Sequence, residues 1–256
     1  MLTDTHAHID MDCYEDDYAG VIQRAKYNGV DKIIIPAVEP KDFNKIIQFT
    51  HDYDNIYCAL GLHPSEAQKF YPQITDEIED YCQNNKKIVA IGEVGLDYYW
   101  DKSFVDLQKK VFKAQIELAK KLSLPILIHD REAHQDTYDI LKESNINDLP
   151  VVMHCYSGSW EFAKEFLKMN CYIALGGVVT FKNAQKVKEV AKNVPLNRLL
   201  LETDCPYMTP VPFRGKQNEP SYIKYIAQEI AQIRNTTFEE IALKTTENAA
   251  KLFRLN

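Results

Sequence analysis

The stretch "MLTDTHAHIDMDCYEDD", residues 1–17, decides the fold. A short apolar start leads into His6 and His8, which alternate with Thr5, Ala7 and Ile9 as side chains do along a strand. Successive strand side chains point to opposite faces, so two histidines one residue apart are expected on the same side, where they could share one ion. The residues that follow matter equally. A dinucleotide-binding, doubly wound sheet carries a glycine fingerprint directly after its first strand. Residues 6–17 contain no glycine.

The rest of the chain repeats the unit that this stretch opens. Apolar runs begin near Met1, Lys32, Ile56, Lys87, Leu124, Leu149, Cys171 and Arg198, with helical segments between them. Several runs, such as "KIIIPAV", are apolar on both faces, as strands covered on both sides are. Eight strand–helix units on 256 residues predict an α/β fold, a (β/α)8 TIM barrel formed by residues 1–256 as one domain. The clearest helix is expected over residues 101–122, where Phe104, Leu107, Val111, Ala114, Leu118 and Leu122 keep a helical period. Thr237 and Glu240 form a capping-box pattern before the last helix, and Ile223, Ile226, Ile230 and Ile233 stripe the one before it. Residues 205–220, "CPYMTPVPFRGKQNEP", are too long for a simple connector, and their place after the last strand marks them as functional.

Composition narrows the function. A net charge of -7 and a pI near 5.5 argue against a broad cationic face for duplex nucleic acid. The six cysteines contain no CxxC pair and follow no disulfide spacing, so reduced thiols and a cytoplasmic location are expected. The start has neither a basic region nor an apolar core, and no run of about 18 apolar residues occurs, so no membrane span is expected. Nothing indicates a protein partner.

The chemistry lies where the apolar runs end. They end in His6 and His8, His63, Glu93, His129 with Asp130, His154, and Glu202 with Asp204; five of the seven histidines therefore fall on what a barrel makes its catalytic rim. His51 and His134, isolated in helical or loop segments, are left out. Imidazoles and carboxylates converging at one rim are what a divalent metal needs, which makes His6, His8, Glu93, His129, His154 and Asp204 candidate ligands. Six exceed the three of a single catalytic zinc and suggest two ions bridged by a carboxylate, a pair suited to hydrolysis by an activated water. Asp204 could take that water's proton and pass it to the leaving group. Four histidines favour zinc, manganese, iron, nickel or cobalt over magnesium. Side-chain alternation points Cys155 and Cys205 away from the neighbouring ligands. Tyr98 and Tyr156 are read as packing residues.

The blocks "DTHAHID", "GLHP", "IGEVGLDYY", "PILIHDREA", "HCYSG", "LLLETDCPY" and "RGKQNEP" resemble, in order and from end to end, those of the TatD-type metal-dependent deoxyribonucleases of the amidohydrolase-like barrel superfamily. The resemblance implies that His6 and His8 hold a first ion, that Glu93 bridges, that His129 and His154 hold a second, and that Asp204 binds metal and handles the proton, with Glu93 and Asp204 as the catalytic pair. It also implies phosphodiester cleavage, often from the 3′ end of single-stranded DNA, with magnesium able to support turnover. The alternative it brings is deacylation of D-aminoacyl-tRNA, and the same centre would suit a small ester, amide or lactone. A phosphodiester needs donors at the rim, and His63, Arg131, Arg214 and Lys216 stand in the right loops.

Overall fold

Eight parallel strands lie side by side in chain order: β1 Leu2–Asp4, β2 Val30–Pro36, β3 Ile56–Leu60, β4 Ile88–Asp97, β5 Ile126–Arg131, β6 Val151–Met153, β7 Tyr172–Leu175 and β8 Leu199–Leu201. The structure, a computed structural model, describes residues 1–146 and 148–255. Helices α1 Tyr18–Tyr27, α2 Phe43–Asp52, α3 Ile74–Asn84, α4 Val105–Leu122, α5 His134–Glu143, α6 Trp160–Lys168, α7 Gln185–Asn193 and α8 Ile223–Arg234 follow the eight strands in turn, and α9 Phe238–Phe253 ends the fold. The arrangement is a nearly closed (β/α)8 barrel. None of the described helices is long and apolar enough to cross a membrane.

Closure is made just beyond the paired strand ends. Thr5 donates its backbone N–H to Leu201 (3.1 Å), Asp204 donates to the carbonyl of His6 (2.9 Å), and Ala7 bridges to Cys205. The buried Asp4 carboxylate accepts the N–H of Thr203 (2.9 Å) and its hydroxyl (2.6 Å), tying the first strand to the last.

Alternate strand residues fill the barrel. Ile34, Ala59, Ala90, Leu127, Val152, Ala174 and Leu200, one from each of β2 to β8, cluster with Ala249, Leu252 and Phe253 of α9. Between strands and outer helices lies the second layer, anchored by Phe43, Phe112 and Phe166, all fully buried. Because α9 also donates from Asn248 to the carbonyls of Leu196 and Leu199 (2.8 Å each), it sits against the entry end of β8. Polar side chains are left to gather at the exit end, as in other barrels.

Two expected helix features come out differently in detail. Helix α4 begins at Val105 rather than near residue 101, because the Asp101 side chain accepts the N–H of Ser103 (2.8 Å) in a turn that competes with helix. Thr237 caps α9 as its spacing predicts, accepting the N–H of Glu240 (3.1 Å), but the Glu240 carboxylate reaches Thr236 instead of closing the box.

Candidate metal centre

The centre is organised by a defect in one strand. Along β4 and β5 the register passes from Ile91–Ile126 to Val94–Ile128, so three steps on β4 match two on β5. Bulges of this kind re-aim a side chain at barrel rims. This one carries Gly92 and Glu93, and the Glu93 carboxylate turns into the barrel mouth, 3% exposed. A side chain at Gly92 would place Cβ 2.6 Å from Leu127 Cβ, and one at Gly95, where φ is +138°, would place it 2.1 Å from the His129 carbonyl. The two glycines let β4 approach β5 closely enough to set Glu93 beside His129.

The two oxygens of Glu93 face different histidines. Oε2 lies 3.2 Å from His6 Nε2 and 3.6 Å from His8 Nε2. Oε1 lies 2.8 Å from His129 Nδ1, 3.4 Å from His154 Nε2 and 3.6 Å from His63 Nε2. Asp204, whose φ of +53° is tolerated by aspartate, brings Oδ1 to 4.0 Å from His6 Nε2 and 3.7 Å from His8 Nε2. All six residues expected as ligands from the sequence therefore come together. The regular strand ends at Asp4, and beyond it His6 and His8 are positioned by the Ala7–Cys205 bridge and by the His8 N–H bond to Cys205 (2.9 Å), with their Nε2 atoms 3.2 Å apart. Ala7 still donates its N–H to the carbonyl of Ile34 in β2 (3.1 Å), so this stretch stays between β2 and the chain after β8 and the two rings fall on one side, as alternation predicts.

Donor spacing and protonation fit divalent ions. Zinc–nitrogen bonds of about 2.0–2.1 Å put neighbouring donors roughly 3.0–3.4 Å apart, and the spacings around each Glu93 oxygen are close to that. Burial holds His6 well below the ordinary histidine range and lowers His8, which leaves imidazole lone pairs free to bind. Glu93 stays ionised: burial opposes its charge, but His154, His6 and His63 and the bond from His129 hold it well below the usual carboxylate range. Burial, reinforced by Glu93 and Glu202, lifts Asp204 to about 7. Three-donor groups that could hold an ion are His6–His8–Glu93, His63–Glu93–His129, His6–His154–Glu202 and His154–Cys155–Asp204.

Two carboxylates outside the expected ligand set, Asp97 and the strand-end Glu202, set the outward nitrogens. Asp97, at the end of β4, meets His129 Nε2 at 2.9 Å, and Glu202 meets His154 Nδ1 at 3.2 Å. Burial would lower both histidines, but Asp97 and Glu93 lift His129 to about 9, and Glu202 and Glu93 lift His154 to about 10. A carboxylate on the far nitrogen fixes the tautomer and points the other nitrogen inward. The available signal was the strand-end acid in "GEVGLD" and "LLLETD".

The remaining candidates separate. His63 joins the centre, its ring 4.4 Å from that of His129 and its Nδ1 2.8 Å from Ser65 Oγ. Arg131 lines the same cleft, whereas Arg214 and Lys216 are exposed, lie outside its lining, and rest over Phe181 and Phe213. Cys155 corrects an expectation: its φ of +42° breaks the alternation and brings the thiol near His154 and Asp204, while Cys205 is fully buried as expected. Tyr98 and Tyr156 bond to Asp136 and to the Ser159 carbonyl. His51 is exposed, and His134 pairs with Asp130 (2.6 Å) outside the centre.

Comparison with known proteins agrees with this geometry. The sequence profile described as TatD related DNase matches residues 3–254. The chain belongs to the TatD-related DNase family. It is 50% identical, over all 256 residues and the whole of the relative, to the uncharacterized metal-dependent hydrolase YabD of Bacillus subtilis. It is 34% identical over its full length, and 96% of the relative's, to the uncharacterized metal-dependent hydrolase YcfH of Escherichia coli. The crystal structure of the TatD homologue YjjV of Escherichia coli superposes with a TM-score of 0.94 at 32% identity, covering 100% of this chain and 98% of that one. This TatD-family chain is a metal-dependent hydrolase.

Proposed function

We propose that the chain is a deoxyribonuclease that removes nucleotides from unpaired 3′ ends of DNA, using two divalent ions that share Glu93. One observation carries the two-ion reading: the two oxygens of one buried carboxylate address separate histidine sets, His6 with His8 and His129 with His154. The first set and Asp204 would hold one ion; the second set would hold the other. Imidazole-rich donors suit zinc, manganese, iron, nickel or cobalt in the purified protein, and magnesium remains a candidate for turnover. Bound ions would supply Lewis acidity, lowering the pKa of a water and neutralising charge on the oxygens of the phosphorus under attack.

The chain's own groups do the positioning. Asp97 and Glu202 keep His129 and His154 aimed at Glu93. Asp204, whose carboxylate stands beside His6 and His8 at the rim, would accept a proton from the attacking water and return it to the leaving oxygen. Arg131 at the cleft edge offers a guanidinium to the phosphate that a neutral ester would not need. The acidic overall charge suits a few nucleotides at a rim rather than a gripped duplex.

The test is nucleotide release from a 3′-labelled single-stranded oligonucleotide by metal-stripped protein, with Mg²⁺, Mn²⁺ and Zn²⁺ restored separately. Metal-dependent release that disappears in Glu93→Ala and Asp204→Ala supports the proposal. Metal-loaded protein that releases nothing, yet hydrolyses D-aminoacyl-tRNA, a lactone or a small ester, replaces the substrate and keeps the centre.

A further inference from the structure

The cleft above the centre holds more than ions and water require. Its volume is about 480 Å³, and its wall includes His8, His63, Glu93, Asp204, Trp100 and Arg131. Trp100, on the loop after β4, is 73% exposed, and its neighbour Tyr99 is 50% exposed. Tyr207 and Met208, in the loop after β8, line the same cleft and are also exposed. In a ring of eight strands β4 and β8 stand opposite each other, so aromatic surface flanks the centre on two sides. Large apolar side chains left in solvent beside a site mark a surface that something covers.

The loop carrying Trp100 is anchored. Asp97, whose Oδ2 holds His129, uses Oδ1 to accept the N–H groups of Tyr99 (2.9 Å) and Trp100 (3.3 Å), and Tyr98 is pinned to Asp136 (2.7 Å). Arg131, at the end of β5, stacks its guanidinium 3.9 Å from the Tyr99 ring centre and 5.5 Å from that of Trp100. Among the described residues no acidic side chain pairs with Arg131. Stacking fixes the guanidinium plane and leaves its edge donors free for an anion. The indole keeps an open face.

A flat face beside an unpaired cation, next to a centre that attacks anionic esters, matches a nucleotide: base on the ring, phosphate on the guanidinium. A base inside a duplex has both faces covered by its stacked neighbours. We propose that Trp100, with Arg131 held on Tyr99, is a subsite that stacks one unpaired base next to the scissile phosphate and holds that nucleotide's phosphate. The subsite rests on the nucleic-acid reading of the centre and adds how an unpaired strand is chosen. Since every base has a π face, it predicts strand selectivity with little sequence preference.

The experiment measures kcat/KM of metal-loaded wild type, Trp100→Ala, Trp100→Phe and Arg131→Ala on single-stranded oligonucleotides, either intact or carrying one abasic site at each of the last few positions in turn. At one position the abasic site should slow the wild type roughly 5- to 100-fold, the range for a lost base–aromatic stack. Trp100→Ala should slow the intact strand by the same factor, and that abasic site should slow the variant no further. Trp100→Phe should recover most of the loss, and Arg131→Ala should slow intact and abasic strands alike. A Trp100→Ala variant that cleaves the intact strand within about twofold of wild type, or that stays as sensitive as wild type to every abasic position, overturns the subsite while leaving the nuclease. Wild type that cleaves no oligonucleotide at all overturns both.

Discussion

Two carboxylate–histidine pairs stand a few residues apart on the same rim, and only one enters the centre. His129 bonds to Asp97 through Nε2 (2.9 Å) and meets Glu93 through Nδ1 (2.8 Å). His134 bonds to Asp130 through Nδ1 (2.6 Å), and its ring packs beside Tyr156 and Phe162. In both, the carboxylate favours the charged histidine: Asp130 raises His134, and against burial Asp97 and Glu93 raise His129. The difference is where the second nitrogen points. One points at a buried carboxylate shared with His6, His8 and His154, the other lies beside Gly158, away from those donors. A histidine held by an acid becomes a site only when its other nitrogen converges with further donors.

Predictions that sharpen the contrast run from large to small. Glu93→Gln removes the charge that the histidine sets share. It should lower kcat/KM on the preferred substrate by on the order of 10³-fold or more, the scale of several kcal/mol of lost charge stabilisation. Steady-state assay with saturating metal checks this; a loss under tenfold would break the account.

Asp97→Asn keeps the shape of the His129 partner and removes its charge. Metal affinity or activity should fall about 10- to 100-fold, as for other carboxylates behind a ligating histidine. Calorimetric titration of the stripped variant with zinc reads it directly. Glu202→Gln should act in the same direction through His154.

Asp130→Asn and His134→Gln should leave kcat/KM within about threefold of wild type, because this pair, with Asp130 buried and His134 turned away from Glu93, does not reach the centre. Their effect should be thermal, about 3–10 °C in Tm, the scale of a lost charge-assisted hydrogen bond in a domain of this size. Its sign follows from the shift. His134 is raised above its ordinary value of 6.5, so the pair stabilises fully below 6.5 and loses that stabilisation as pH rises through the higher folded value. His134→Gln should therefore be most destabilising near pH 6 and approach wild type on the alkaline side. A His134→Gln activity loss matching that of Asp97→Asn would erase the distinction between the pairs.

Much of this was legible in the sequence, for physical reasons that differ by element. All eight strands were readable: several runs, such as "KIIIPAV" and "LPVVM", are apolar on both faces, the mark of a strand covered on both sides, and the first, "MLTDTH", was readable from its alternation. The gathering of His6, His8, Glu93, His129, His154 and Asp204 was readable because a barrel sends every strand's exit end to one rim. The orienting roles of Asp97 and Glu202 were not, since they depend on which nitrogen of a neighbouring strand's histidine faces outward. Nor was the turn of Cys155, which lies in a left-handed backbone conformation that alternation assumes absent. The bulge at Glu93 and the stacking of Arg131 on Tyr99 arise from register and loop anchoring, and neither leaves a periodic trace.

The central claim is that Glu93 joins two metal sites. Anomalous diffraction from crystals grown with manganese or zinc tests it most directly. The account predicts two peaks about 3.5–4 Å apart, one against His6 and His8 and one against His129 and His154, each touching one oxygen of Glu93. A single peak, or two peaks of which Glu93 touches only one, would contradict it.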